Sequence, residues 1–132
     1  MKNIALTILF FAFTINMAFA KNSCEQLSLD LTKINKSAVE RAITKQTDFK
    51  EINVLNIFHK ENWLFIYVDS SSSDSFVLFY SANPEYYKYT SIWSGAAPKT
   101  ERLKLKAWAL SNNQGIPLEL ASCFSFFVTN RK

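Results

Sequence analysis

Two glycines, two cysteines and a single histidine are all that this 132-residue chain holds of those types, and each scarcity removes a kind of chemistry. Gly95 and Gly115 stand alone, so neither a phosphate-cradling glycine loop nor a Gly-x-Ser-x-Gly nucleophile elbow is present. A lone His59 excludes metal sites and acid–base designs that need several imidazoles, or an imidazole paired with a nucleophile. Beside Lys60 and Glu61 it reads as a solvated turn residue. No metal and no cofactor is expected, and no residue is assigned a catalytic role.

What the chain does have begins at its N-terminus. Lys2 precedes an uncharged apolar stretch over residues 4–15, and Ala18-Phe19-Ala20 supplies the small-x-small pattern that signal peptidase cuts. Residues 1–20 are therefore expected to be a cleaved signal peptide, and residues 21–132 a single exported domain, periplasmic or secreted. Counted generously from Asn3 to Phe19 the apolar stretch reaches about 17 residues, short of the roughly 20 that span a bilayer. Lys21, Asn22 and Ser23 separate the cut from Cys24, which leaves no lipid-anchoring cysteine at the new N-terminus. No stable membrane anchor is expected after cleavage.

Export also fixes the state of the thiols. Cys24 and Cys123 both lie in the exported part, and two cysteines in an oxidising compartment most simply pair with each other. A Cys24–Cys123 disulfide would tie the two ends of the domain together. It would also remove the thiolate that cysteine catalysis requires.

Lys2 is the only charged residue of the leader, so its removal lowers the net charge from +4 to +3. A mildly basic exported domain is a poor partner for nucleic acid. The one local concentration of cations is Lys99, Arg102, Lys104 and Lys106, which reads first as a solvated polar face. Anionic wall polymer or lipid head groups are the other chemistry it fits.

Periodicity then orders the exported domain. Leu27, Leu31, Ile34, Ala38 and Ala42 recur at three- and four-residue steps, the stripe of a helix. Ser23 with Gln26, and Ser37 with Glu40, each have capping-box spacing, so this segment is either one helix or two broken near Asn35 and Lys36. Residues 50–58, 63–68, 76–80 and 86–93 read as strands of an antiparallel meander, with residues 59–62, the serine tract 70–75 and Asn83-Pro84 as connections. Residues 99–110 can alternate as a strand or align as a helix, and the absence of β-branched residues after Thr100 favours helix. A short helix from Pro117 to Ala121 and a last strand over 124–128 complete the expectation.

The fold class that follows is α+β: one N-terminal helix or two short ones packed on a curved antiparallel sheet of about five strands, with helices on one face and a second helix before the last strand. In shape alone this layout resembles cystatin-like and nuclear-transport-factor-2-like proteins. That resemblance implies a sheet-and-helix sandwich and assigns no residue.

Two functional readings result. Aromatic residues make up 15% of the chain, against roughly one in twelve in ordinary usage, and Tyr86, Tyr87, Tyr89 and Trp93 crowd one predicted strand. Neighbours on a strand face opposite sides, so some of these rings are expected at the surface, where tyrosine and tryptophan make strong contacts. They are the candidate binding residues of a non-catalytic binding protein, such as an inhibitor or immunity-type protein acting on a protein or another component of the envelope. The alternative is a small hydrolase or ligand-processing enzyme. It would use Asp69 and Asp74 across a hairpin, aided by His59, with the same carboxylates able to offer oxygen ligands to calcium.

Overall fold

The computed structural model describes residues 23–131. The chain forms α1 (Ser23–Leu27), a 3-10 turn at Leu31–Lys33 and α2 (Lys36–Gln46). The strands β1 (Asn53–Lys60), β2 (Trp63–Ser70), β3 (Ser73–Tyr80) and β4 (Ser91–Ser94) follow. A 3-10 turn at Lys99–Glu101 then leads into α3 (Arg102–Asn112) and α4 (Leu118–Thr129). The strands pair antiparallel in the order β1-β2-β3-β4. The α+β class holds.

Every residue from Phe65 to Val68 and from Phe76 to Tyr80 is buried. A strand apolar at consecutive positions has to be covered on both faces. The sheet accordingly lies between two helical layers, not beneath one as expected. Phe58, Phe65, Tyr67, Val77 and Phe79 pack on one face against Cys24 and Leu27 of α1, Leu105 and Ala109 of α3, and Leu120, Phe124 and Val128 of α4. Val54, Ile57, Ile66, Val68, Phe76, Leu78 and Tyr80 pack on the other against Ile43 of α2.

The first face is aromatic. Phe65 has ring contacts with Phe58, Phe79, Phe124 and Phe127 at centroid distances of 4.5 to 6.1 Å. Most of the aromatic surplus is thus core, which leaves a small remainder to explain at the surface.

Two expected strands are corrected. Residues 124–128 belong to α4, so the sheet has four strands and not five. Phe124 and Val128 alternate as in a strand, but with Leu120 they also step by four, and all three are buried. No glycine, proline, asparagine or aspartate interrupts the twelve residues of α4, and an uninterrupted run of that length decides for helix. The strand expected over 86–93 shrinks to β4, because residues 83–87 form a turn.

The connections are shorter than the sequence suggests. His59 and Lys60 belong to β1 and only Glu61 and Asn62 turn the chain, with Glu61 at φ 57°. Ser73, Asp74 and Ser75 already belong to β3. At the N-terminus, of the two open alternatives, the two-helix reading is the observed one: the Asn35 side chain caps α2 by accepting from the Ala38 N–H at 3.1 Å. Residues 99–110 take the helical alternative.

The Cys24–Cys123 disulfide is present, with the two Cα atoms 4.7 Å apart, and it joins α1 to α4. The outer edge of β1 is covered where Leu29 N–H donates to Ile57 O at 2.8 Å and the Glu40 carboxylate accepts Val54 N–H at 2.9 Å. Such cover removes a template for edge-to-edge pairing. No helix among the described residues is long and apolar enough to cross a membrane. The expected signal peptide lies outside the described residues.

Candidate functional site

The exposed aromatic residues trace to one clamp. Gln46 is the last residue of α2, which aims its side chain past the end of the helix toward the chain leaving β3. Its amide nitrogen donates to the carbonyls of Pro84 at 2.8 Å and Tyr87 at 3.0 Å. Its amide oxygen accepts from the Tyr80 hydroxyl at 2.8 Å and the Tyr89 N–H at 3.3 Å. A glutamine amide has two donor hydrogens and two acceptor lone pairs, and all four are engaged.

The turn is stitched from inside as well. Asn83 accepts Glu85 N–H on its side-chain oxygen at 2.9 Å, and its backbone carbonyl accepts from both Tyr86 and Tyr87 at 3.1 Å. Side-chain to backbone bonding of this kind is what makes Asn-Pro a turn initiator. Thr90 returns the chain to the sheet by donating to Phe79 O at 2.7 Å. Thr90 and Ser91 then donate their hydroxyls to the side-chain oxygen of the buried Asn113, at 2.5 and 2.6 Å.

The backbone of residues 80–91 is therefore held at each end and in the middle. Tyr86 and Tyr87 are 81% and 57% exposed. Tyr89 and Trp93, the other two candidates, are half-buried: Tyr89 meets the Tyr80 ring edge-on at 6.5 Å, and Trp93 meets Phe124 at 5.6 Å on the opposite sheet face. The loop presents the first pair, and the last two residues help hold it.

The loop also divides two clefts. One, of about 450 Å³, has an apolar floor of Ile34, Val39, Ile57, Leu64 and Ile66 and a rim that includes His59, Glu61, Asn62, Asn83 and Glu85. The other, of about 460 Å³, is lined by Lys45, Gln46, Tyr86, Tyr87 and Lys88. Both fall in the range of ordinary ligand or side-chain pockets. Glu85 stands between them and lines both; Glu61 adds a second carboxylate to the first, and Lys45 and Lys88 add two cations to the second.

Of the acid–base candidates, Asp69 and Asp74 lie opposite each other on the hairpin as expected, and His59 lies apart from them. Asp69 and Asp74 are exposed on the β2–β3 hairpin, where an irregularity sets Asp74 and Ser75 opposite Asp69, and the Ser75 hydroxyl donates to the Asp69 carboxylate. His59 pairs with Leu64 near the other end of β2, about 17 Å along the strand from Asp69. Among the described residues no cluster of three or more histidine, cysteine or carboxylate side chains could hold a metal ion.

No family model, curated protein or solved structure matches this chain. The site's principal organiser, Gln46, carries no sequence signal, since a glutamine near a helix end is ordinary. The acidic rim was equally hidden, because Glu61 and Glu85 are distant in sequence and come to line one cleft only through the fold. Asn83-Pro84 was the one legible sign that a turn would form there.

Proposed function

We propose that this protein is an exported, non-catalytic binding protein whose docking element is the loop bearing Tyr86 and Tyr87, with the flanking clefts receiving side chains of a protein partner. An inhibitor or immunity-type role toward an envelope or extracellular protein fits this arrangement. The observation that carries the reading is the pairing of two largely exposed tyrosines with a backbone fixed by Gln46.

Association costs ordering entropy, and a loop already held in place avoids most of that cost. Tyrosine offers a large contact area with few rotatable bonds and a polar tip, which suits it to the centre of an interface. The clefts on either side offer apolar depth and charges of both signs. The disulfide accords with an oxidising compartment and hence with export.

The test is chemical cross-linking of the tagged protein in its native envelope, followed by mass spectrometry, with wild type and Tyr86→Ala/Tyr87→Ala compared at equal abundance. A stoichiometric protein recovered with wild type and lost with the double variant supports the reading. Equal recovery with both contradicts it.

A further inference from the structure

The outward face of α3 carries an apolar stripe where a helix covering a sheet is ordinarily polar. Leu105 and Ala109 point into the core, yet Leu103 is 81% exposed, Leu110 37% exposed, and Ala107 is exposed with them. Residues 103, 107 and 110 are four and three apart, so they form one stripe along the helix. Their side faces away from residues 105 and 109, and the two leucines stand about 10 Å apart along the axis. Single exposed leucines need no explanation. A stripe opposite the core is different, because it contributes nothing to folding.

Cations flank that stripe. Lys106 lies to one side of it around the helix and Lys104 to the other, Lys99 stands in the 3-10 turn that leads into α3, and no ion pair among the described residues engages any of the three. Arg102 is not free to join them: its guanidinium donates to Thr129 Oγ1 at 2.7 Å and to the Asn130 side-chain oxygen at 2.6 Å. Leucine at the centre with lysine at the margins is the pattern of a helix that lies in the head-group region of a bilayer.

We propose that α3 docks this protein reversibly on an anionic lipid surface, with Leu103 and Leu110 entering the acyl boundary and Lys99, Lys104 and Lys106 meeting lipid phosphates. Charge decides between the possible occupants. A second copy seated on the same face would bring its own lysines against these. A soluble anionic polymer would satisfy the lysines and leave the leucines in water. An anionic bilayer offers both an apolar interior and a negative surface. The inference stands on α3 and is independent of the tyrosine loop.

The experiment is sedimentation of the exported protein with phosphatidylcholine vesicles, with and without about one-quarter phosphatidylglycerol. Stronger partitioning onto the anionic vesicles is expected, weakening as salt is raised, and falling roughly tenfold or more in Leu103→Glu/Leu110→Glu. Lys99→Ser/Lys104→Ser should weaken the preference for anionic lipid without touching an apolar residue. Absent binding, equal binding to both vesicle types, or binding that neither double variant alters overturns the proposal. So does a concentration-dependent dimer that Leu103→Glu/Leu110→Glu dissolves, since the stripe would then belong to a second copy.

Discussion

The Gln46 side-chain oxygen accepts the Tyr80 hydroxyl proton at 2.8 Å, joining the end of α2 to the end of β3. Tyr80 is fully buried, so its hydroxyl would otherwise lack a partner, while the remaining three bonds of the same amide hold the loop that exposes Tyr86 and Tyr87. One side chain thus satisfies a buried donor and shapes the candidate docking element.

Gln46→Ala should be costly for that reason. It leaves the Tyr80 hydroxyl without its partner and frees the backbone groups of the loop, and an unsatisfied buried polar group of this kind costs about 1–3 kcal/mol. Urea unfolding should show a lower midpoint at an unchanged slope. Amide exchange should accelerate at Tyr87 and Tyr89 more than in β2, because the loop loses its clamp while the sheet keeps its core.

Alkaline pH should destabilise the fold through Tyr80. Burial, with a smaller contribution from the adjacent Tyr89, raises its pKa in the folded state. The unfolded chain releases this proton near pH 10 while the folded protein retains it, so the contribution is complete below about pH 10 and is lost as pH rises beyond it. Unfolding free energies measured on both sides of that value should show the decline. Tyr80→Phe should flatten it, although the variant will be less stable at neutral pH through its lost bond to Gln46.

Reduction should act on the whole domain. The Cys24–Cys123 bond spans a sequence separation of 99, and the chain-entropy model puts the stabilisation from closing such a loop at no more than about 4.7 kcal/mol. Denaturation with and without reductant, with Cys24→Ala/Cys123→Ala as control, should show a loss of about 2–4 kcal/mol. A reduced protein as stable as the oxidised one would show that α1 needs no tether to α4.

Glu51 offers a prediction of opposite sign. It is exposed and holds φ 54°, a left-handed conformation that costs an L-residue roughly 1–2 kcal/mol and glycine almost nothing. Set against the entropy that glycine loses on folding, Glu51→Gly should stabilise by about 0.5–1 kcal/mol. Thermal unfolding of the variant checks this, and a lower melting temperature would refute it.

How far the sequence could be read follows the physics of each segment. β1, β2 and β3 were legible because β-branched and aromatic runs between turn residues have few other uses. The helical layer on each sheet face was implicit in the unbroken apolar runs at 65–68 and 76–80, which one-sided cover cannot accommodate. The C-terminal half of α4 is ambiguous in sequence because Phe124, Phe126 and Val128 fit a strand's alternation while Phe124 and Val128 also fit a helix's four-residue step, and only the continuity from Leu118 to Thr129 separates the two. At the candidate site the tyrosines were legible as unusual residues, but not which of them face solvent. That depends on Gln46, Asn83 and Asn113, polar side chains whose partners lie 22 to 43 residues away or within their own turn.

The central claim is that the loop at Tyr86 and Tyr87 is where a partner docks, and site-specific photo-cross-linking tests it most directly. A photoreactive phenylalanine analogue is placed at position 86 in one variant and at the exposed Asp74 position in another, and both are irradiated in the native envelope. One discrete protein adduct is expected from position 86 and none of that mass from position 74. The same adduct at equal yield from both positions, or from position 74 alone, would contradict it.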